Sequence, residues 1–301
     1  ELQFCDLAMG DAKAVIQTFA NRDLRQFGSL LMYLHLERAQ KTNPLSILDK
    51  DMTAIIRLGT DFVSNYYEVR IPLILTPHEA NNLDPNSVEY NDTLWNPRNL
   101  LELDLVTLTQ IKQARNLSNT PIGQIYSQMQ PSGQQYSVMG DPNLGEIKGI
   151  LIGVENTNAE AAVCGEMWAN ELRLSSLDEK GGVAALGRLD LQLSDLGTIS
   201  VSANVHTPGY GNLEQKINER YRDNFVQFDV AANLELGKLL PKRAGMSIPF
   251  FAGYSYTNSS PEYDPYDKDI KLKDVMKGQT AANKDSIRDQ AVTFTSISTV
   301  N

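Results

Sequence analysis

The sequence predicts an all-β protein with one short helix: a jelly-roll-like β-sandwich over 1–176, followed by long antiparallel strands over 177–301. Three observations carry this. Short apolar runs separated by turn signals fill the first part. Strict apolar and polar alternation fills the second. In LDLQLSDLGTISVSANV (189–205), Leu189, Leu191 and Leu193 alternate with Asp190, Gln192 and Ser194, and Ile199, Val201, Ala203 and Val205 with Ser200, Ser202 and Asn204. Successive side chains on a strand point to opposite faces, so this is a hairpin with one apolar and one polar face. Third, the pattern changes near residue 176, where SSLDEKGG (175–182) reads as a linker.

In the first part, strands are expected at 28–39, 52–60, 65–76, 123–129, 134–140, 146–156 and 165–174. Pro131-Ser132-Gly133 and Asp141-Pro142-Asn143 mark turns between them. LELDLVTLTQIKQARN (101–116) is the one good helix, with Leu101, Leu105, Leu108 and Ile111 on one face. Seven or eight strands with one helical crossover make a sandwich of jelly-roll type.

In the second part, strands are expected near 186–194, 198–206, 225–236 and 246–256, with a fifth beginning near Ala291. The third puts Val226, Phe228, Val230, Ala232, Leu234 and Leu236 on one face and Gln227, Asp229, Asn233 and Glu235 on the other. The fourth repeats the pattern from Met246 to Tyr256, with Pro249 inside it, so either the strand starts after Pro249 or a bulge sits there. These runs have the length a tilted strand needs to cross a bilayer. Short and long connections alternate, as in outer-membrane barrels. Alternation alone favours a soluble sheet with one solvated face.

Composition narrows the classes. Lys and Arg number 27 against 37 Asp and Glu, a net charge of -10 that repels phosphate backbones and argues against nucleic acid as a partner. No run of 18 apolar residues offers a membrane helix, which does not bear on strands. The chain opens with Glu1 and ends in a strand-like run, so it reads as an excerpt of a longer polypeptide. Cys5 and Cys164 lie in no CxxC motif. They either pair, tying the start of the sandwich to its final strand, or stay as two buried thiols.

Several long stretches, in order, resemble one family. GEMWANELRLSSLDEKGG, LQLSDLGTISVSA, GYGNLEQKINER, AANLELGKLLPKRAGMSIPFFAGYS and SPEYDPYDKDIKLKD, with DLRQFGSLLMYLHLE, IRLGTDFVSNYYEVRIPL and DPNLGEIKGILIGVEN upstream, are similar to the SprA/Sov family. Its members are the outer-membrane translocons of the Bacteroidetes type IX secretion system. The resemblance implies a jelly-roll-like sandwich followed by an arc of antiparallel transmembrane β-barrel strands, in a channel that carries folded proteins to the cell surface and serves gliding motility. The implied partners are secreted cargo proteins, accessory secretion subunits and the lipid bilayer. Together with strand length and loop alternation, it assigns Leu189, Leu191, Leu193, Ile199, Val201, Val230, Ala232 and Leu234 to lipid. Asp190, Gln192, Ser200, Ser202, Asn204, Asp229, Asn233 and Glu235 fall to a wet lumen.

If the short connection at 195–197 is periplasmic, the sandwich and the 207–224 and 257–290 loops lie outside the cell. The alternative function is a surface glycan- or protein-binding sandwich merely anchored by a barrel. Tyr66, Tyr67, Trp95 and Trp168 are the aromatic candidates for such a platform, against a core or rim role. Trp168 in particular is expected in the core. Asp264, Asp267 and Asp269 lack the glycine and terminal glutamate of an EF-hand and read as a solvated, Pro-kinked loop. His35, His78 and His206 have no metal-ligand spacing, and no nucleophile or nucleotide motif appears, so no catalytic residue, cofactor or metal is expected.

Overall fold

Two antiparallel sheets over a shared apolar core account for residues 1–178, and a five-stranded antiparallel sheet organises 179–301. The computed structural model describes residues 1–39, 47–77, 82–241, 243, 245–277 and 279–301. Strands are numbered in chain order. The first sheet runs β1 (Leu2–Leu7), β10 (Val163–Leu177), β3 (Phe27–Arg38), β6 (Leu101–Asp104). The second runs β2 (Ala12–Arg22), β9 (Ile147–Asn156), β4 (Met52–Gly59), β5 (Tyr66–Pro72), β8 (Gln135–Met139), β7 (Tyr126–Met129).

Period-two patterning builds the core. Leu30, Met32, Leu34 and Leu36 of β3 face Ala54, Ile56 and Leu58 of β4 across it, with Val69, Ile71, Val138 and Val154 alongside. Each large aliphatic side chain buried this way stabilises the fold by roughly 1.5–3 kcal/mol. Cys5 and Cys164, on the paired strands β1 and β10, form a disulfide across a sequence separation of 159. Neither β1 nor β2 is marked by the sequence. Leu2, Phe4 and Leu7 of β1 reach the core, whereas β2 is an edge strand exposed along nearly its whole length, which leaves no alternation to read.

The helix is shorter than its apolar spacing suggests. Residues 101–104 are strand β6, paired with β3 from Ser29↔Asp104 to Met32↔Leu101. Leu101 and Leu103 both enter the core, so a period of two prevails there over 3.6. Asp104 then caps helix α2 (Leu105–Leu117), its carboxylate accepting the Val106 N–H. A second helix, α1 (Val88–Leu94), precedes it and is capped by Ser87. The stretch expected to be linker from 175 begins later, because Ser175–Leu177 still pair with Phe27–Ser29.

The five-stranded sheet is a meander in which spatial order equals chain order: β11 (Ala184–Gln192), β12 (Gly197–His206), β13 (Asp223–Glu235), β14 (Pro249–Pro261), β15 (Thr293–Val300). Among the described residues it is open, β11 and β15 each having one neighbour. Pro249 is the first residue of β14, where a missing N–H is tolerated, so Met246 and Ile248 lie outside the strand. Leu193 also leaves the ladder. It closes the 193–196 turn, donating its N–H to the Gly197 carbonyl. Gly197 has φ +147°, and a Cβ there would sit 2.0 Å from the Asn233 carbonyl oxygen, so the turn needs glycine. The 262–292 connection holds short helix α3 (Leu272–Val275) and α4 (Ala281–Ala291). The strand expected to begin at Ala291 therefore starts at Thr293.

Candidate functional site

No residue of β11–β15 is buried, an unusual condition for strands of up to 13 residues. Registry aligns their side chains in rows across the sheet. One face carries Leu189–Val201–Val230–Tyr254, ending on Ser298 of β15, and, a step along, Leu191–Ile199–Ala232–Ala252–Val300. Leu234 belongs to the same face by alternation, and Phe228 packs edge-on against Tyr254 at 6.0 Å. With Leu189 54% and Phe294 67% exposed, this face presents apolar surface to whatever surrounds it.

The opposite face is polar in its central rows. One runs Arg188–Ser202–Asp229–Ser255 and its neighbour Asp190–Ser200–Ala231–Gly253–Thr299. Asp229 is a hub, accepting from Ser255 at 2.5 Å, Gln227 at 3.0 Å and Ser202 at 3.4 Å. Arg188 pairs with Asp190 at 2.8 Å. Gln192 and Asn233 flank Thr198, and Asn204 sits opposite Gln227. At one end, Asp223 accepts from Ser259 at 2.7 Å and lies 3.1 Å from His206 Nε2, while His206 stacks on Phe225. At the other, Glu235 accepts from the Ser247 hydroxyl and the Ile248 N–H. Leu186, Phe225, Phe251 and Ile297 also belong to this face by register, so it is mixed at its margins.

The sandwich gathers its aromatic candidates differently from a binding platform. Tyr66 and Tyr67 are buried, Tyr66 under the Arg57 guanidinium at 4.2 Å. Trp168 is not in the core; its neighbour Met167 is, and Trp168 faces the other way, against His35 at 5.1 Å. Trp95 covers His35 from the 88–95 segment at 6.0 Å. His35 is fully buried, with Nδ1 2.9 Å from both the Leu94 carbonyl and the Thr76 hydroxyl. His78 lies outside the described residues.

Two cations of α2 were not marked by the sequence. Lys112 and Arg115 are both buried. Lys112 Nζ donates to the Pro142 carbonyl at 3.0 Å and pairs with Asp141 at 2.6 Å, while Arg115 donates to the Gly140 carbonyl. They pin the 140–142 turn to the helix. Their i, i+3 spacing on the apolar side of α2 was the available signal.

Asp61 organises the β4–β5 turn. Its pKa falls from 3.8 to about 2, chiefly because the Ser64 N–H donates to it, with help from the Asn65 side chain and the Val63 and Asn65 amides. Asp264 and Asp269 are buried rather than solvated. Asp264 accepts the Tyr266 N–H, which turns the loop. Among the described residues one His/Cys/Asp/Glu group is close enough to hold an ion, Cys5, Asp6 and Cys164, and its two sulfurs are joined to each other. No helix among them is long and apolar enough to cross a membrane, which says nothing of strands.

A family model, SprA_N, described as motility related/secretion protein, matches residues 1–276. The chain belongs to that family. Comparison with curated proteins gives no match. The matched SprA_N segment runs through the whole sandwich and the first four strands of the meander, so both parts described above are family structure.

Proposed function

We propose that residues 179–301 are one arc of the wall of a large outer-membrane β-barrel through which folded proteins are secreted. The observation that carries the reading is the meander with no buried residue and two unlike faces. An exposed face of Leu, Ile, Val and aromatic side chains is costly in water and suited to lipid. The Asp229 and Asp190 rows suit a wet conduit, since an apolar wall would hold passing protein. Dimensions agree with this. At about 3.3 Å per residue and roughly 45° tilt, the 13 residues of β13 rise about 30 Å, the thickness of a bilayer core.

In this reading the chain catalyses no reaction; its partners are secreted cargo, accessory subunits of the secretion apparatus and the bilayer. The short 193–196 turn and the 236–248 connection share the periplasmic end, and 207–222 and 262–292 lie outside. The connection 178–183 is too short to cross about 30 Å of hydrocarbon, so the sandwich belongs to the extracellular side with the start of β11.

Single-channel recording of the full-length protein, opened by removing any plug, tests the proposal. With Ser202→Cys, a water-soluble thiol reagent should lower conductance in steps, and with Val201→Cys it should leave conductance unchanged. The reverse pattern would assign the faces the other way.

A further inference from the structure

We propose that the β13–β14 connection, residues 236–248, is an interfacial anchor that docks on phospholipid phosphates of the periplasmic leaflet. The inference rests on the barrel reading above and adds a ligand to it. In a chain of net charge -10, LGKLLPKRAGMSI holds Lys238, Lys242 and Arg243 and no Asp or Glu. Lys242 enters through sequence alone, as it lies outside the described residues.

The apolar side chains of this connection are also outward. Leu239 is 68% and Met246 57% exposed, and Leu240 is exposed beside them. Leu236–Leu239 form a single 3₁₀ turn, and Gly245 (φ +61°) lets the chain reverse toward β14. The nearest carboxylates do not cancel the charge. Glu235 is occupied by Ser247 and Ile248, folded back onto the connection. Asp195 lies 3.6 Å from Lys238 in a pair more than half exposed on both sides, a contact of little worth in water. Arg243 is exposed.

Cations beside exposed leucines, at the end of a sheet whose adjoining face is apolar, match the acyl–headgroup boundary in both chemistry and order. The exposed leucines and Met246 would supply the apolar contact, and Lys238 and Arg243 the cations for the phosphate layer, where guanidinium and ammonium groups bind phosphate oxygens well.

The test is a nitroxide label on Leu239→Cys, with Val230→Cys as the strand reference, in the full-length protein reconstituted in vesicles. Cys5 and Cys164 are joined, so within this chain only the new thiol takes the label, and the unsubstituted protein treated in parallel serves as the blank. Depth is read from collision with oxygen against a water-soluble nickel chelate, in phosphatidylcholine alone and with about one third phosphatidylglycerol. The Leu239 label should reach interfacial depth with the anionic lipid. Adding Lys238→Gln and Arg243→Gln should return it to water, a loss of roughly thirtyfold in the docking equilibrium. A Leu239 label that stays aqueous in both lipids while the Val230 label reads deep overturns the anchor and leaves the barrel standing. One shielded from both collision partners overturns it in favour of a protein contact. If the Val230 label itself is aqueous, the barrel reading falls, and the anchor with it.

Discussion

The Ser255 hydroxyl donates to the Asp229 carboxylate across the β13–β14 pair at 2.5 Å. Ser202 approaches the same carboxylate from the other neighbouring strand, so Asp229 links three strands on one face. Hydrogen bonds to a charged group contribute about 1.5–3 kcal/mol where water competes little and less where it competes freely. Asp229→Leu should therefore lower the unfolding midpoint of the protein in urea by an amount worth about 1–3 kcal/mol. Ser202→Ala should change it much less, its contact being long at 3.4 Å. Equal effects would show that Asp229 does not act as a hub.

Lys112 predicts a local effect in the sandwich. Lys112→Met removes the donor to Pro142 and the partner of Asp141, leaving the Pro142 carbonyl unpaired. Such an orphaned group costs about 1–3 kcal/mol. Limited proteolysis should cut the variant faster within 139–146 than the parent, with the rest of the sandwich equally resistant. Unchanged cleavage there would mean that the helix does not hold the turn.

The Cys5–Cys164 bond closes a loop of sequence separation 159. For a loop of that size, chain-entropy models give close to 5 kcal/mol, though strained native geometry often lowers the gain. Reductant should lower the thermal midpoint to that of the Cys5→Ser, Cys164→Ser variant and no further. Mass analysis without reductant should find no thiol in this chain open to alkylation, and two alkylatable thiols would contradict the pairing.

Asp61 sets an acid dependence. Its folded pKa, about 2, is below the ordinary 3.8, so the stability it contributes is fully present above about pH 4 and is lost as pH falls through about 2. Asp61→Asn should be less stable than the parent at pH 6, with the two converging toward pH 2, as read from urea midpoints. A gap that does not narrow in acid would remove Asp61 from the turn's hydrogen bonding.

Much of this was readable from alternation. The rows of β11–β13 follow directly from Leu189 to Val205 and from Val226 to Leu234, because a half-apolar strand writes its faces with period two. Leu193 and Leu101 show where pattern yields to context. Leu193 keeps the alternation, yet a glycine two residues past Asp195 draws it into the turn. Leu101 fits a helical face, yet pairing with Met32 makes it a strand residue. β15 blurs the code, with Phe294 on the apolar face and Ile297 on the other. The sandwich's polar interior was the least legible part. Lys112 and Arg115 fall on the apolar side of α2 by spacing, but their charge argues against burial until the 140–142 carbonyls are placed against them. Trp168 reads as a core residue from its type, large and commonly buried, while the parity of the strand sends Met167 there instead.

The most direct test of the account compares two arginines on adjacent residues of β13. Ala232 and Asn233 project to opposite faces of the proposed wall, three and four residues past the midpoint of β13 toward the 236–248 connection. Arginine on the lipid face costs about 2–4 kcal/mol at the bilayer midplane and less toward the interface, so at Ala232 a cost within that falling range is expected, and on a wet lumen face much less. Assembly of the full-length protein into the outer membrane, followed as the heat-modifiable folded fraction, should fall sharply for Ala232→Arg and stay near the parent for Asn233→Arg. Equal tolerance of both, or a greater loss for Asn233→Arg, would contradict the assignment of lipid to the Leu189–Val201–Val230 face.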